Sequence, residues 1–102
     1  MTDDVVTLGD FEQRYQNILK DNPKIERCSF RSCKNPVDGD TTCAYHRLLF
    51  DHWMYEVKGM KIAQMSTRGR RIAFSRWVNK TGKEICDAIV LDMAQYSINW
   101  VC

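Results

Sequence analysis

Cys28, Cys33, Cys43 and His46 stand in the sequence as C-x4-C-x9-C-x2-H, three thiols and an imidazole in two close pairs. Zn²⁺ in structural sites is usually tetrahedral and takes thiolate sulfur and imidazole nitrogen at about 2.0 to 2.3 Å. These four residues supply one complete shell, and four protein ligands leave no position for a reactive water, so the expected ion is structural rather than catalytic. Cys28 and Cys33 flank the turn Ser29-Phe30-Arg31-Ser32, while Cys43 and His46 lie one helical turn apart and can project from the same face of a helix. The loop from Lys34 to Thr42 is made of turn formers with almost nothing to bury, and Thr41 and Thr42 are candidate caps for the helix that follows. Three thiolates and one Zn²⁺ leave a net charge of about −1, which Arg27, Arg31 and Lys34 are placed to offset.

Disulfide pairing is the competing use of such thiols. Against it, the cysteine count of five is odd and three are committed to the metal, an arithmetic that argues for a reducing compartment. Met1-Thr2-Asp3-Asp4 is acidic where a secretory leader would be basic, and no apolar run approaches the roughly twenty residues of a membrane helix. A cytoplasmic protein is therefore expected, with Cys86 and Cys102 as free thiols and Cys86 packing as a small hydrophobe.

The segment Arg27 to Arg47, RCSFRSCKNPVDGDTTCAYHR, resembles the short Cys-x4-Cys, Cys-x2-His zinc module near the start of many phage HNH endonucleases and in other small treble-clef-like and phage regulatory proteins. The likeness covers about a fifth of the chain. Ser32 stands where a glycine often precedes the second cysteine, and Thr41-Thr42 where Gly-Leu often precedes the third. An HNH site needs several histidines and an asparagine, whereas this chain has two histidines and one is already a ligand. The resemblance thus implies the module and one structural zinc, but not the reaction. A phage-encoded protein acting in the host cytoplasm is its further implication.

Charge is segregated along the chain. Residues 1–23 carry −3, residues 24–56 balance, residues 57–83 carry +8 without a single acid, and residues 84–102 carry −3. The basic stretch holds Lys58, Lys61, Arg68, Arg70, Arg71, Arg76, Lys80 and Lys83. It has the electrostatic footprint of a polyanion-binding face, or of one that meets an acidic protein surface. Its bland counterpart is a solvated face neutralised by acids brought near in the fold.

The elements that must position these groups are mostly helical. At 102 residues one domain is expected, and a metal ion would add folding free energy to a core of modest size. Leu8, Phe11, Tyr15, Ile18 and Leu19 recur at three- and four-residue steps, so Gly9 to Lys20 reads as an amphipathic helix ended by Asn22-Pro23. From Cys43 a long helix presents Tyr45, Leu48, Leu49, Trp53, Val57 and Met60 and weakens at Gly59. Ser66 to Gly69 reads as a basic turn, followed by a helix with Ala73, Phe74, Trp77 and Val78 on one face. Thr81-Gly82-Lys83-Glu84 has the form of a capping box for a last helix, whose apolar face is Ile85, Ala88, Ile89, Met93 and Tyr96. A hairpin over residues 70–91 is the alternative, although Arg76 interrupts one of its faces. The fold class expected is mainly α, a small zinc-stabilised domain with a knuckle and about four helices.

Catalytic candidates do not survive inspection, and no enzymatic activity is expected. Asp51-His52 pairs an acid with a base, but six helical residues turn the His52 ring away from the metal face. A helix-turn-helix reading fails because the second helix would bring Glu84 and Asp87 to the phosphates. Two functions remain open. One is a small zinc-binding regulator that binds nucleic acid or a transcription complex through Arg68, Arg70, Arg71, Arg76, Lys80 and Lys83. The other is an adaptor or inhibitor docking on a protein of a transcription or defence complex through Leu49, Phe50, Trp53 and Tyr55. The apolar tail Trp100-Val101-Cys102 makes a homodimer a further expectation.

Overall fold

The structure is a computed structural model that describes residues 6–30, 32–38, 41–59 and 64–95. The expectations made for Arg31, Met60, Lys61, Tyr96, the Trp100-Val101-Cys102 tail and the side chain of Lys58 lie outside the described residues.

The fold is mainly helical, in the order α1 (Leu8–Asp21), α2 (Ala44–His52), a π-helical continuation (Trp53–Lys58), α3 (Thr67–Thr81) and α4 (Lys83–Gln95). The Cys-rich knuckle sits between α1 and α2, and among the described residues the extended pairing is one isolated antiparallel bridge, Arg27 with Pro36. The hairpin alternative for residues 70–91 is set aside, since two helices occupy that stretch.

Each helix boundary has a local cause. At the start of α1 the Asp10 carboxylate accepts the Thr7 N–H at 2.7 Å, and at its end the Asn22 N–H closes on the Ile18 carbonyl before Pro23 prevents continuation. Thr41 and Thr42 do not cap α2. Cys43 occupies the cap position, and the two threonine carbonyls are spent on the knuckle, accepting from Ser29 N at 2.8 Å and Asp38 N at 3.1 Å. The long helix expected from Cys43 changes from α to π at Trp53 and stops at Gly59, whose φ of 56° is costly for any other residue. The expected basic turn at Ser66–Gly69 is instead the first turn of α3, with the Ser66 hydroxyl accepting from Gly69 N at 3.1 Å. Thr81 does not open α4 as a capping residue, because it is the last residue of α3. Gly82 alone joins the two helices at φ 91°, and its carbonyl accepts from Cys86 N.

The core forms where α2 packs on α4 and α3 packs on α4. Leu49, Trp53, Phe74, Cys86, Val90 and Ala94 are buried there, and burying each large apolar side chain contributes about 1.5–3 kcal/mol. On α4 the buried stripe is Cys86, Val90 and Ala94, one position round from the expected face, so that Ile85 is 56% exposed and Ala88 points outward. Cys86 does pack as a small hydrophobe. The expected docking face also breaks up. Trp53 and Leu49 are fully buried, because their helical turn faces Phe74 and α4, and Phe50 packs half-buried against Trp53 and Phe74. Tyr55 alone of that set stands free at 79% exposure, and Val57 is turned outward as well.

Candidate metal centre

The knuckle is built from backbone hydrogen bonds around a tight turn. Cys33 N–H donates to the Phe30 carbonyl at 3.0 Å, and Cys28 N–H to the Asn35 carbonyl at 2.8 Å. Ser32 adopts φ 66°, a left-handed conformation that favours glycine. This strained turn brings Cys28 and Cys33 together, while Cys43 at the cap of α2 and His46 in its first turn approach from the other side.

All four donor atoms lie within 4.8 Å of one another. Cys33 Sγ is 3.9 Å from Cys43 Sγ, and His46 Nδ1 is 3.3 Å from Cys43 Sγ and 3.6 Å from Cys28 Sγ. A tetrahedron with arms of about 2.3 Å has edges of roughly 3.8 Å, so the spacing fits one metal ion. The thiols are free rather than joined as disulfides. The expected ligand set is therefore brought together as a whole.

The electrostatics of the cluster already lean toward a thiolate. The Cys43 thiol is pulled down to about 3, first by its hydrogen bond with Cys28, against burial, with further help from His46 and from Tyr15. Cys28 is pushed up by the same hydrogen bond and by burial, and Cys33 is pushed up mainly by burial. Cys43 is thus the thiol of the cluster that loses its proton most readily. Neighbouring groups also orient the sulfurs. Phe30 N–H donates to Cys28 Sγ at 3.4 Å, and the Tyr15 hydroxyl reaches Cys43 from α1 while accepting Tyr45 N–H at 2.8 Å. Such outer contacts fix ligand geometry and tune metal affinity. Phe30 lies flat on the His46 ring, with centroids 4.2 Å apart at 14°.

No family model, curated protein or solved structure matches the chain. Among the described residues no helix is long and apolar enough to cross a membrane.

A groove of about 790 Å³ runs beside the knuckle. Ser29, Phe30, Thr41 and Thr42 form one wall and α3 the other, with Arg47, Phe50 and Asp51 contributed by α2. Of the six bases expected to bind a partner, Arg70, Arg71 and Arg76 converge on this groove. Arg68 and Lys80 are exposed outside its lining, and Lys83 opens α4, where it pairs with Asp87 one turn on at 2.8 Å. Arg27 and Lys34 are both exposed, and Arg27 bonds the Lys34 carbonyl at 3.4 Å, closing the base of the knuckle. His52 lies outside the metal cluster, against Trp77.

Three contributors were not foreseen. Arg47 follows the last ligand directly, lines the groove and donates to the Asp38 carbonyl at 3.3 Å, a place outside the metal cluster that its position in the first turns of α2 would have indicated. Phe30, inside the knuckle, links the groove to the ligand cluster by lining the one and stacking on His46 of the other. Tyr15 reaches Cys43 from 28 positions away in the sequence. No spacing rule could have signalled that contact.

Proposed function

We propose that the protein is a small zinc-binding regulatory protein that binds nucleic acid through the groove between its knuckle and α3. Zinc is the ion that best suits three thiolates and an imidazole at tetrahedral spacing, and a shell closed by four side chains gives it a structural role. Cys28, Cys33, Cys43 and His46 would hold it, and its chemistry would be to fix the knuckle against the start of α2.

The observation that carries the binding reading is the convergence of Arg47, Arg70, Arg71 and Arg76 on one groove whose lining includes a single acid, Asp51. Guanidinium groups present planar forks that match phosphate oxygens in pairs, and clustering them concentrates the attraction. The half-buried rings of Phe30 and Phe50 in the same lining offer apolar surface of the kind bases stack on. The docking alternative is weaker, since Trp53 is enclosed in the core and cannot anchor a partner. The likeness of Arg27–Arg47 to phage zinc modules supports a phage-encoded regulator acting on nucleic acid or a transcription complex in the host cytoplasm.

The test is binding of zinc-loaded protein to DNA and RNA across a salt series. Affinity should fall steeply with salt, because each neutralised phosphate releases about one counterion. Arg71 and Arg76 are exposed, so replacing both by Ala should leave the fold intact and lower the salt slope by about one to two. An unchanged slope would remove the groove from the interface. No binding even at low salt would return the weight to protein docking.

A further inference from the structure

The groove combines three properties that together narrow what can fill it. It is a hollow rather than a ridge: its arginines look into a space bounded by the knuckle on one side and α3 on the other. A duplex is read by a helix or ribbon that protrudes into its major groove. Arg71 and Arg76 line the hollow with exposed side chains, an arrangement that suits a strand able to bend over them and turn its bases inward. Aromatic surface from Phe30 and Phe50 is available beside those guanidinium groups, the combination that holds single strands by stacking and backbone charge.

The third property is the acid. Asp51 lines the same groove, half-buried, one helical turn after Arg47. Among the described residues no guanidinium or ammonium lies within ion-pair distance of its carboxylate. Burial pushes its carboxyl above the usual carboxylate range, with Arg47 only partly opposing that. A carboxylate in a phosphate-binding groove repels the backbone that the arginines attract, and its desolvation is unfavourable unless hydrogen-bond donors reach it. The donors that nucleic acid can bring are base N–H groups. Guanine offers two side by side, the ring N1–H and the exocyclic amino group, which match both oxygens of one carboxylate. Thymine and uracil offer a single N–H between two carbonyl oxygens, which a carboxylate meets with repulsion. In a duplex these edges are occupied by pairing, and they are free only in unpaired bases.

We infer that the groove takes a single strand and that Asp51 selects an unpaired guanine by accepting both donors of its Watson–Crick edge. This rests on the nucleic-acid reading above and gives it a substrate class. The probes are a twelve-residue oligothymidine, the same strand with two central guanines, and the second strand annealed to its complement. Binding is measured with the zinc-loaded full chain. The guanine-containing strand should bind about tenfold more tightly than oligothymidine and more tightly than the duplex. In Asp51→Asn the ratio between the two single strands should collapse toward one, because the amide replaces one acceptor by a donor. Zinc content and circular dichroism confirm that the variant is folded, and Asp51→Ala, which removes both acceptors, should collapse the ratio in the same way.

Equal or tighter binding to the duplex overturns the single-strand assignment. A guanine preference that persists in both Asp51 variants overturns the role of Asp51. Failure of every probe to bind at low salt overturns the nucleic-acid reading itself, and the inference falls with it.

Discussion

The knuckle and the helical bundle are held together by different physics. From Cys28 to His46 little apolar surface is enclosed beyond the ligands, Pro36 and Ala44, and the geometry rests on four donor atoms, a few backbone hydrogen bonds and one left-handed serine. From Leu48 to Ala94 no described residue belongs to the metal cluster, and the geometry rests on apolar side chains that fill the space between α2, α3 and α4. The first region is specified by a handful of atoms and the second by many small contributions. They meet at Phe30, which stacks on His46 and sets its edge against Phe74 of α3 at a centroid distance of 5.4 Å. Loss of the metal should therefore be all-or-none in the knuckle, whereas the bundle should respond in proportion to the volume removed.

The largest expected effect is on the knuckle. Structural zinc contributes roughly 10–16 kcal/mol of apparent binding free energy in small domains, more than most domains of this size have in net stability. Cys43→Ser, which removes one of the three sulfur ligands, should abolish stoichiometric zinc binding and unfold the knuckle. Because Phe30 then leaves Phe74, the bundle should loosen too. Metal analysis and thermal melts with and without chelator check this, and a variant that melts like the parent without metal would separate the two regions entirely.

Leu49→Ala works from the other side. It empties a fully buried position in the bundle and should cost about 2–5 kcal/mol, while one zinc per folded chain is retained. A chemical denaturation curve gives the first quantity and metal analysis the second. If this variant lost its zinc while still folded, the regions would be more tightly coupled than the Phe30–Phe74 contact and the Tyr45–Asp87 hydrogen bond imply.

The smallest effect sharpens the comparison most. Ser32 is held at φ 66°, where a side chain costs about 1–2 kcal/mol relative to glycine. Glycine loses more backbone entropy on folding, which offsets part of that gain. Ser32→Gly should raise stability by about 0.5–1 kcal/mol and tighten metal binding slightly, read from the melting temperature and a chelator competition. A destabilised variant would mean that the serine side chain contributes something the backbone angle does not reveal.

The same division decides what was legible in the sequence. The ligand set is local, two pairs at fixed spacing, and it could be read directly because the chemistry of the ion dictates the residue types. The helices were legible from their three- and four-residue periodicity, including the end of the second at Gly59. What failed were features decided between elements. Thr41 and Thr42 look like caps until the knuckle claims their carbonyls. The α4 face is set by how closely small Cys86 and Ala94 let neighbouring helices approach, so the bulkier Ile85 turns outward although its hydrophobicity argues otherwise. Trp53 reads equally well as an anchor or as core, and only the position of Phe74 decides it. The groove itself was half legible. The basic run marked Arg70, Arg71 and Arg76, but Arg47 and Asp51 belong to it only because α2 forms part of its lining.

The central claim is that Cys28, Cys33, Cys43 and His46 form one tetrahedral metal centre that organises the knuckle. Titration of reduced, metal-free protein with Co²⁺ tests it directly, because a thiolate-rich tetrahedral site gives intense visible absorption and thiolate-to-metal charge-transfer bands, whereas an octahedral one does not. The account predicts saturation at one equivalent with the tetrahedral spectrum, displacement of the cobalt by zinc, and a gain of folded structure over the same range. A weak octahedral spectrum, or absorption that never saturates at one equivalent, would contradict it.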